Sequence, residues 1–174
     1  MKISKKLLYL TTLILLPYSC INNELIPTEE VVTLGDTLPD FTITMNDGKS
    51  LTGETLRNST SVVMFFHTNG PDCQQVLPHV QRLYDVYAQQ GVAFALISRE
   101  ESATSVSSYW TEQGFTMPYS AQANRKIYEL FAYRRVPRIY ISEQGGTVRY
   151  LFTDNPPPIY DTLNEAIGDV LNKF

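Results

Sequence analysis

Residues 62–78 read VVMFFHTNGPDCQQVLP. Ser61 to Phe66 is almost wholly apolar, as a strand covered on both faces must be. The short polar loop His67–Asn69 follows. Cys73 then stands where a helix should begin. From there Cys73, Val76, Leu77, Val80, Leu83, Tyr84 and Tyr87 recur three and four residues apart, one face of a helix. Pro78 lies inside that pattern, where it removes a backbone donor and so needs a reason. Gly91 ends the helix as a C-cap glycine would.

Outward from this strand–loop–helix the chain keeps alternating. Upstream, Phe41–Met45 alternates in polarity and runs into Asn46-Asp47-Gly48, a hairpin turn signal, with Lys49–Leu51 as the return strand. Downstream, Val92–Ile97 is a second continuous apolar strand. Ser102–Gln113 reads as a helix stopped by Gly114, and Asn124–Tyr133 as another. Ile139–Ile141 and Val148–Phe152 flank Gln144-Gly145-Gly146, a second hairpin. Thr162–Phe174 closes the chain as an amphipathic helix. This order predicts an α/β layer fold with a central mixed β-sheet flanked by helices and an N-terminal β-hairpin.

The chain has 174 residues, 43% of them hydrophobic and 18% charged, enough for one ordinary domain with a full core plus an N-terminal extension. The formal net charge is −4, and no run of lysine and arginine occurs beyond the first residues, so nucleic acid is not an expected partner. Residues 1–19 have the form of a signal peptide: Lys2, Lys5 and Lys6, then the apolar run Leu7–Leu16, too short to span a bilayer comfortably. Ser19-Cys20 resembles the lipobox of bacterial lipoproteins, which makes Cys20 the expected lipidation site. Residues 20–34, polar and acidic, then form the lipidated tether, and residues 35–174 the domain. The expected location is therefore the cell envelope, with the protein held to the membrane through a lipid anchor and facing the periplasm or the cell surface. Cleavage before Cys20 removes three lysines and makes the mature chain more acidic.

Cys20 and Cys73 are the only cysteines. With Cys20 lipidated, Cys73 has no partner for an internal disulfide, and an exported lone thiol points to intermolecular pairing or direct reactivity, or else to an inert buried side chain. His67 and His79 flank Cys73 in sequence. No Cys-x-x-Cys or His-x-x-x-His pair exists, so no metal site is expected.

Three features together resemble the thioredoxin superfamily, in particular the TlpA-like exported thiol–disulfide oxidoreductases and the neighbouring AhpC/TSA (redoxin) group. They are the strand–loop–helix with Gly70-Pro71-Asp72-Cys73 at the Cys-x-x-Cys position, Pro78 five residues after Cys73, and Val136-Pro137 immediately before the strand Ile139–Ile141. The resemblance covers roughly Leu34 to Phe174 and implies a thioredoxin-like fold. It also implies a cis proline at Pro137, a substrate-binding backbone at Val136, protein thiols or disulfides as partners, and no cofactor.

The family's chemistry uses two sulfurs. The first sits at a helix N-terminus, where the dipole and free amides favour a nucleophilic thiolate. The second resolves the mixed disulfide. Here Gly70 holds the nucleophile's place and Cys73 matches the resolving position, with Asp72 beside it raising its pKa. Asn69 occupies a position where the family often keeps tryptophan. Unaided dithiol exchange is therefore not open to a monomer. Three readings stay open: a monothiol enzyme that borrows a second thiol, a peroxidase using Cys73, or a binding module that retains the groove at Val136 and Pro137. Arg134, Arg135 and Arg138 bracket Pro137, either as ordinary solvated loop charge or as a positive field at the site.

Overall fold

The structure, a computed structural model, describes residues 29–173. The predicted signal peptide, Cys20 and the first part of the predicted tether lie outside the described residues.

The central sheet has five strands in the order β5-β4-β3-β6-β7: β3 (Ser61–Phe66), β4 (Ala93–Ser98), β5 (Tyr119–Ser120), β6 (Arg138–Ser142) and β7 (Val148–Phe152). β3, β4 and β5 run parallel, and β6 and β7 are antiparallel to their neighbours, so the sheet is mixed. A separate hairpin, β1 (Thr42–Thr44) with β2 (Ser50–Thr52), precedes it. The expected α/β architecture, with its N-terminal hairpin, is the one observed.

β3 reads as continuously apolar because it is central and feeds two cores. Val62, Met64 and Phe66 face one layer, packed with Val76, Leu77 and Val80 of α2 (Pro71–Tyr87), Trp110 of α3 (Ala103–Gln113) and Leu163 and Ile167 of α4 (Tyr160–Leu171). Val63 and Phe65 face the other layer, with Leu38, Phe41, Phe131 and Tyr140. Phe65 meets Phe131, Tyr128 and Tyr140 at ring-centroid distances of 4.8, 5.3 and 6.4 Å. α3 begins at the N-cap Ser102 and ends on Gly114, whose φ of +68° is the left-handed C-cap geometry that glycine adopts without strain.

One local expectation is corrected. Residues 124–133 do not form a helix. They make one 3₁₀ turn, Tyr128–Leu130, followed by a turn at Phe131, an isolated bridge at Ala132 and bends. The reason is tertiary: the Phe131 carbonyl accepts the N–H groups of both Val31 and Val32 at 3.0 Å, and Tyr133 donates to the Glu29 carbonyl at 2.9 Å. The chain trades helix propagation for pairing with an incoming strap. That strap, Glu29–Val32, belongs to the end of the segment read as tether, yet Val32 is buried in the second core and Glu30 bridges Ala132. The packed part of the chain thus reaches back to Glu29. α1 (Gly53–Arg57) is short and has no apolar periodicity; it is nucleated by a capping box in which Thr52 and Thr55 satisfy each other's backbone N–H groups.

Candidate functional site

Parallel β3 and β4 end side by side, with Phe66 opposite Ser98, and β6 starts beside them, with Arg138 opposite Phe65. Continuing that antiparallel register brings Pro137 beside Phe66 and Val136 beside His67. The loop His67–Gly70, the residues after β4 and the Val136–Pro137 segment thereby gather at one edge of the sheet. The Val136–Pro137 peptide is cis, as the resemblance implied; Asn155–Pro156 is also cis, which nothing in the sequence indicated. Pro137 is buried, while Val136 is half-buried and packs against both cores.

α2 begins at the N-cap Gly70, with Pro71 in its first turn and Asp72 following. A Pro at the first helical position costs nothing, because its missing N–H would be unpaired there anyway. Gly70 supplies no side-chain cap. Its backbone, φ −80° and ψ 118°, is ordinary extended geometry open to any residue. A Cβ built on Gly70 stands 3.6 Å from Cys73 Cβ and 3.4 Å from Cys73 Sγ, with the His67 carbonyl oxygen at 3.2 Å. A disulfide requires Cβ atoms about 3.5–4.5 Å apart, so position 70 faces the sulfur at bonding geometry.

Cys73 is fully buried and free. The His67 backbone N–H points at its Sγ at 3.5 Å. Burial pushes its thiol up to about 11, and the His67 N–H and the Arg99 charge counter this only in part. Asp72 and Glu101 reinforce the rise. At neutral pH Cys73 is a protonated, inaccessible thiol.

Beneath the loop lies a carboxylate that sequence reading missed. Glu101 is 6% exposed; its Oε2 accepts the Thr68 N–H at 2.9 Å and its Oε1 accepts the Thr68 hydroxyl. His67 Nδ1 lies 3.6 Å from Glu101 Oε1 and accepts the Asn69 N–H at 3.2 Å, so in the neutral ring the proton sits on Nε2. Gln74 Nε2 reaches back to the Thr68 carbonyl at 2.9 Å. The loop before α2 is thus held from both sides. Arg99 contributes positive charge at Cys73 and lies over the Tyr128 ring at 5.1 Å. One sequence signal pointed here: Arg99-Glu100-Glu101 is a charged run directly after a buried parallel strand, the end at which open α/β sheets place their sites.

His79 sits half-buried on α2, past Pro78 and away from the loop contacts just described. Of the three arginines around Pro137, Arg134 and Arg135 are exposed, and Arg135 pairs with Glu29 at 3.4 Å. Arg138 departs from the solvated-charge expectation, since it is fully buried. Its Nε donates to the Arg134 carbonyl at 3.0 Å and its Nη1 lies 3.4 Å from Glu30. The Tyr128 hydroxyl donates to the Arg134 and Arg135 carbonyls. The bend before the cis proline is therefore fixed by a buried guanidinium and a buried phenol. Among the described residues no cluster of three His, Cys, Asp or Glu is placed to hold a metal ion, and no helix is long and apolar enough to cross a membrane.

Comparison with known proteins agrees with this geometry. The thiol–disulfide oxidoreductase ResA of Bacillus thuringiensis (strain Al Hakam) is 22% identical over 120 residues, 69% of each chain. ResA of Geobacillus kaustophilus (strain HTA426) is 24% identical over 122 residues, 70% of each. Among solved structures, a protein disulfide isomerase candidate from Bacteroides thetaiotaomicron superposes with a TM-score of 0.77 at 22% identity, covering 83% of this chain and 93% of that one. A thioredoxin-family thiol:disulfide interchange protein from Chlorobium tepidum TLS gives 0.69 at 20% identity, covering 80% and 99%. The sequence pattern of the AhpC/TSA family matches residues 34–151, well over half of the chain. With that match laid over a thioredoxin-like sheet, a helix starting at Gly70 and a cis Pro137, the chain belongs to the AhpC/TSA family.

Proposed function

We propose that this is a cell-envelope protein of the thiol–disulfide oxidoreductase kind whose own site has lost its attacking sulfur. It keeps the recognition groove at Val136–Pro137, and its partners are protein thiols or disulfides, or an extended peptide segment bound there. Cys20 carries the lipid that anchors it to the membrane. The relatives' thiol–disulfide chemistry and the family match support the general class. The observation that carries the finer reading is the pair Gly70 and Cys73. Position 70 faces Cys73 Sγ at disulfide geometry but has no side chain, and the remaining thiol is buried and alkaline-shifted. Burial and a thiol pushed to about 11 argue against direct attack by Cys73 on peroxide, because the thiolate is the nucleophile.

Turnover is the test. Given a dithiol reductant and insulin as the disulfide substrate, native protein is expected to reduce insulin no faster than the reductant alone. Catalysis above that background would overturn the reading.

A further inference from the structure

Six large apolar side chains are exposed among the described residues; Val31 (44%), Leu130 (38%) and Tyr133 (41%) lie on the strap or on the loop it pairs with, and Leu34 (63%) lies two residues beyond the strap. The backbone holds the first three together. Val31 N–H bonds the Phe131 carbonyl, next to Leu130, and Tyr133 N–H bonds the Glu29 carbonyl. The same stretch concentrates positive charge on an acidic chain. Residues 124–138 carry five cations against the single acid Glu129, and three of the five are accounted for within the fold: Arg138 is buried beside Glu30, Arg135 pairs with Glu29 of the strap, and Arg125 pairs with Glu100. Lys126 and Arg134 are exposed and have no ion-pair partner among the described residues. Apolar and aromatic side chains rimmed by lysine and arginine are what the headgroup region of an anionic bilayer accommodates.

The length of chain outside the packed domain decides between a bilayer and other acidic surfaces. Only eight residues separate Cys20 from Glu29. Fully extended, that connection spans about 30 Å. A domain of this size has a radius of gyration of about 15 Å and so is wider than its tether is long, roughly 35–40 Å across. The tether joins the packed chain at Glu29, whose carbonyl accepts the Tyr133 N–H. We infer that the strap face, Val31, Leu130 and Tyr133 with Lys126 and Arg134, is a membrane-contact surface that rests on anionic phospholipid headgroups. The inference rests on the anchoring of Cys20 proposed above. It also sets the Val136–Pro137 groove, which adjoins Arg134 and Arg135, at the edge of that contact, open to a partner segment close to the bilayer. α2 and α4 pack on the opposite face of the sheet from the strap and so point away from the membrane.

The test uses the full lipidated chain in phosphatidylethanolamine–phosphatidylglycerol vesicles, in a Cys73→Ser background. A fluorophore is attached through Leu130→Cys or Tyr133→Cys, with Val86→Cys on α2 as reference. Flotation is measured first, then quenching by a headgroup nitroxide lipid. Insertion of side chains to headgroup depth predicts quenching at 130 and 133 about three-fold or more above that at 86. Lys126→Glu with Arg134→Glu is expected to lower it toward the reference while flotation is unchanged. Protein that floats but is quenched equally at all three positions overturns the membrane-contact surface and leaves the anchor standing. Protein that does not float overturns the anchor and this inference together.

Discussion

Cys73 shows how position decides the chemistry of a residue. Its thiol is covered by the loop it helps to seat, and desolvation is the largest influence on it, ahead of the nearby Arg99. Raising a thiol from the ordinary 9.0 to about 11 lowers its thiolate fraction at neutral pH by about 100-fold. A small thiol reagent at pH 8 is therefore expected to modify native Cys73 at least about 100-fold more slowly than the same cysteine in denaturant. Equal rates in a stopped-flow assay would contradict its burial. The sign of the pH dependence follows. The folded thiol holds its proton more tightly than the unfolded one, so it contributes stability below pH 9 that is lost as pH rises through 11. For a shift of this size the contribution is roughly 2–3 kcal/mol. Urea unfolding between pH 8 and 11 is expected to lose stability more steeply in native protein than in Cys73→Ala. Burial also raises Tyr128 and Tyr140, and they act with the same sign in both proteins, which is why the comparison and not the bare slope is diagnostic.

Among the elements, β3 and the loop after it carry most of the architecture. Phe65 is fully buried among three aromatic rings. Phe65→Ala is expected to cost about 3–5 kcal/mol in urea unfolding. Thr68→Val keeps the volume but leaves a buried Glu101 oxygen short of a donor, at a cost of about 1–3 kcal/mol. A loss near zero would show that water replaces the hydroxyl there. Elements defined by their own chemistry were legible in the sequence: β3 and β4 by apolar continuity, α3 by Ser102 and Gly114, the hairpins by their turns, and the cis proline by resemblance. Elements defined by distant partners were not. Residues 124–133 have a helical pattern that the strap overrides by occupying the Phe131 carbonyl. β5 is two residues long and exists only by pairing with β4. At the site, Gly70 and Cys73 could be found because four residues place them together. Thr68 and Glu101 meet across 33 residues, and no spacing rule connects them.

At the scale of the whole molecule, the start of the packed chain is tied to the bend before the cis proline. Arg138, fully buried, holds the Arg134 carbonyl and faces Glu30, and Arg135 faces Glu29. Arg138→Ala is expected to cost about 3 kcal/mol, since a buried ionic group loses its place with its neighbours left behind. It is also expected to speed hydrogen exchange at Val31, Val32 and Tyr133, the amides that join strap to loop. Unchanged protection at those amides would show that the strap holds without the buried cation. The proposed reading, a scaffold complete but for one sulfur at position 70, has a direct test. The Gly70→Cys variant is oxidised, its free thiols are counted in denaturant, and its insulin reduction is compared with native protein. The expected result is a disulfide between positions 70 and 73 and reductase turnover above that of the native chain. An oxidised variant with both thiols free would show that position 70 does not face Cys73, and the reading of this site as one sulfur short would fail.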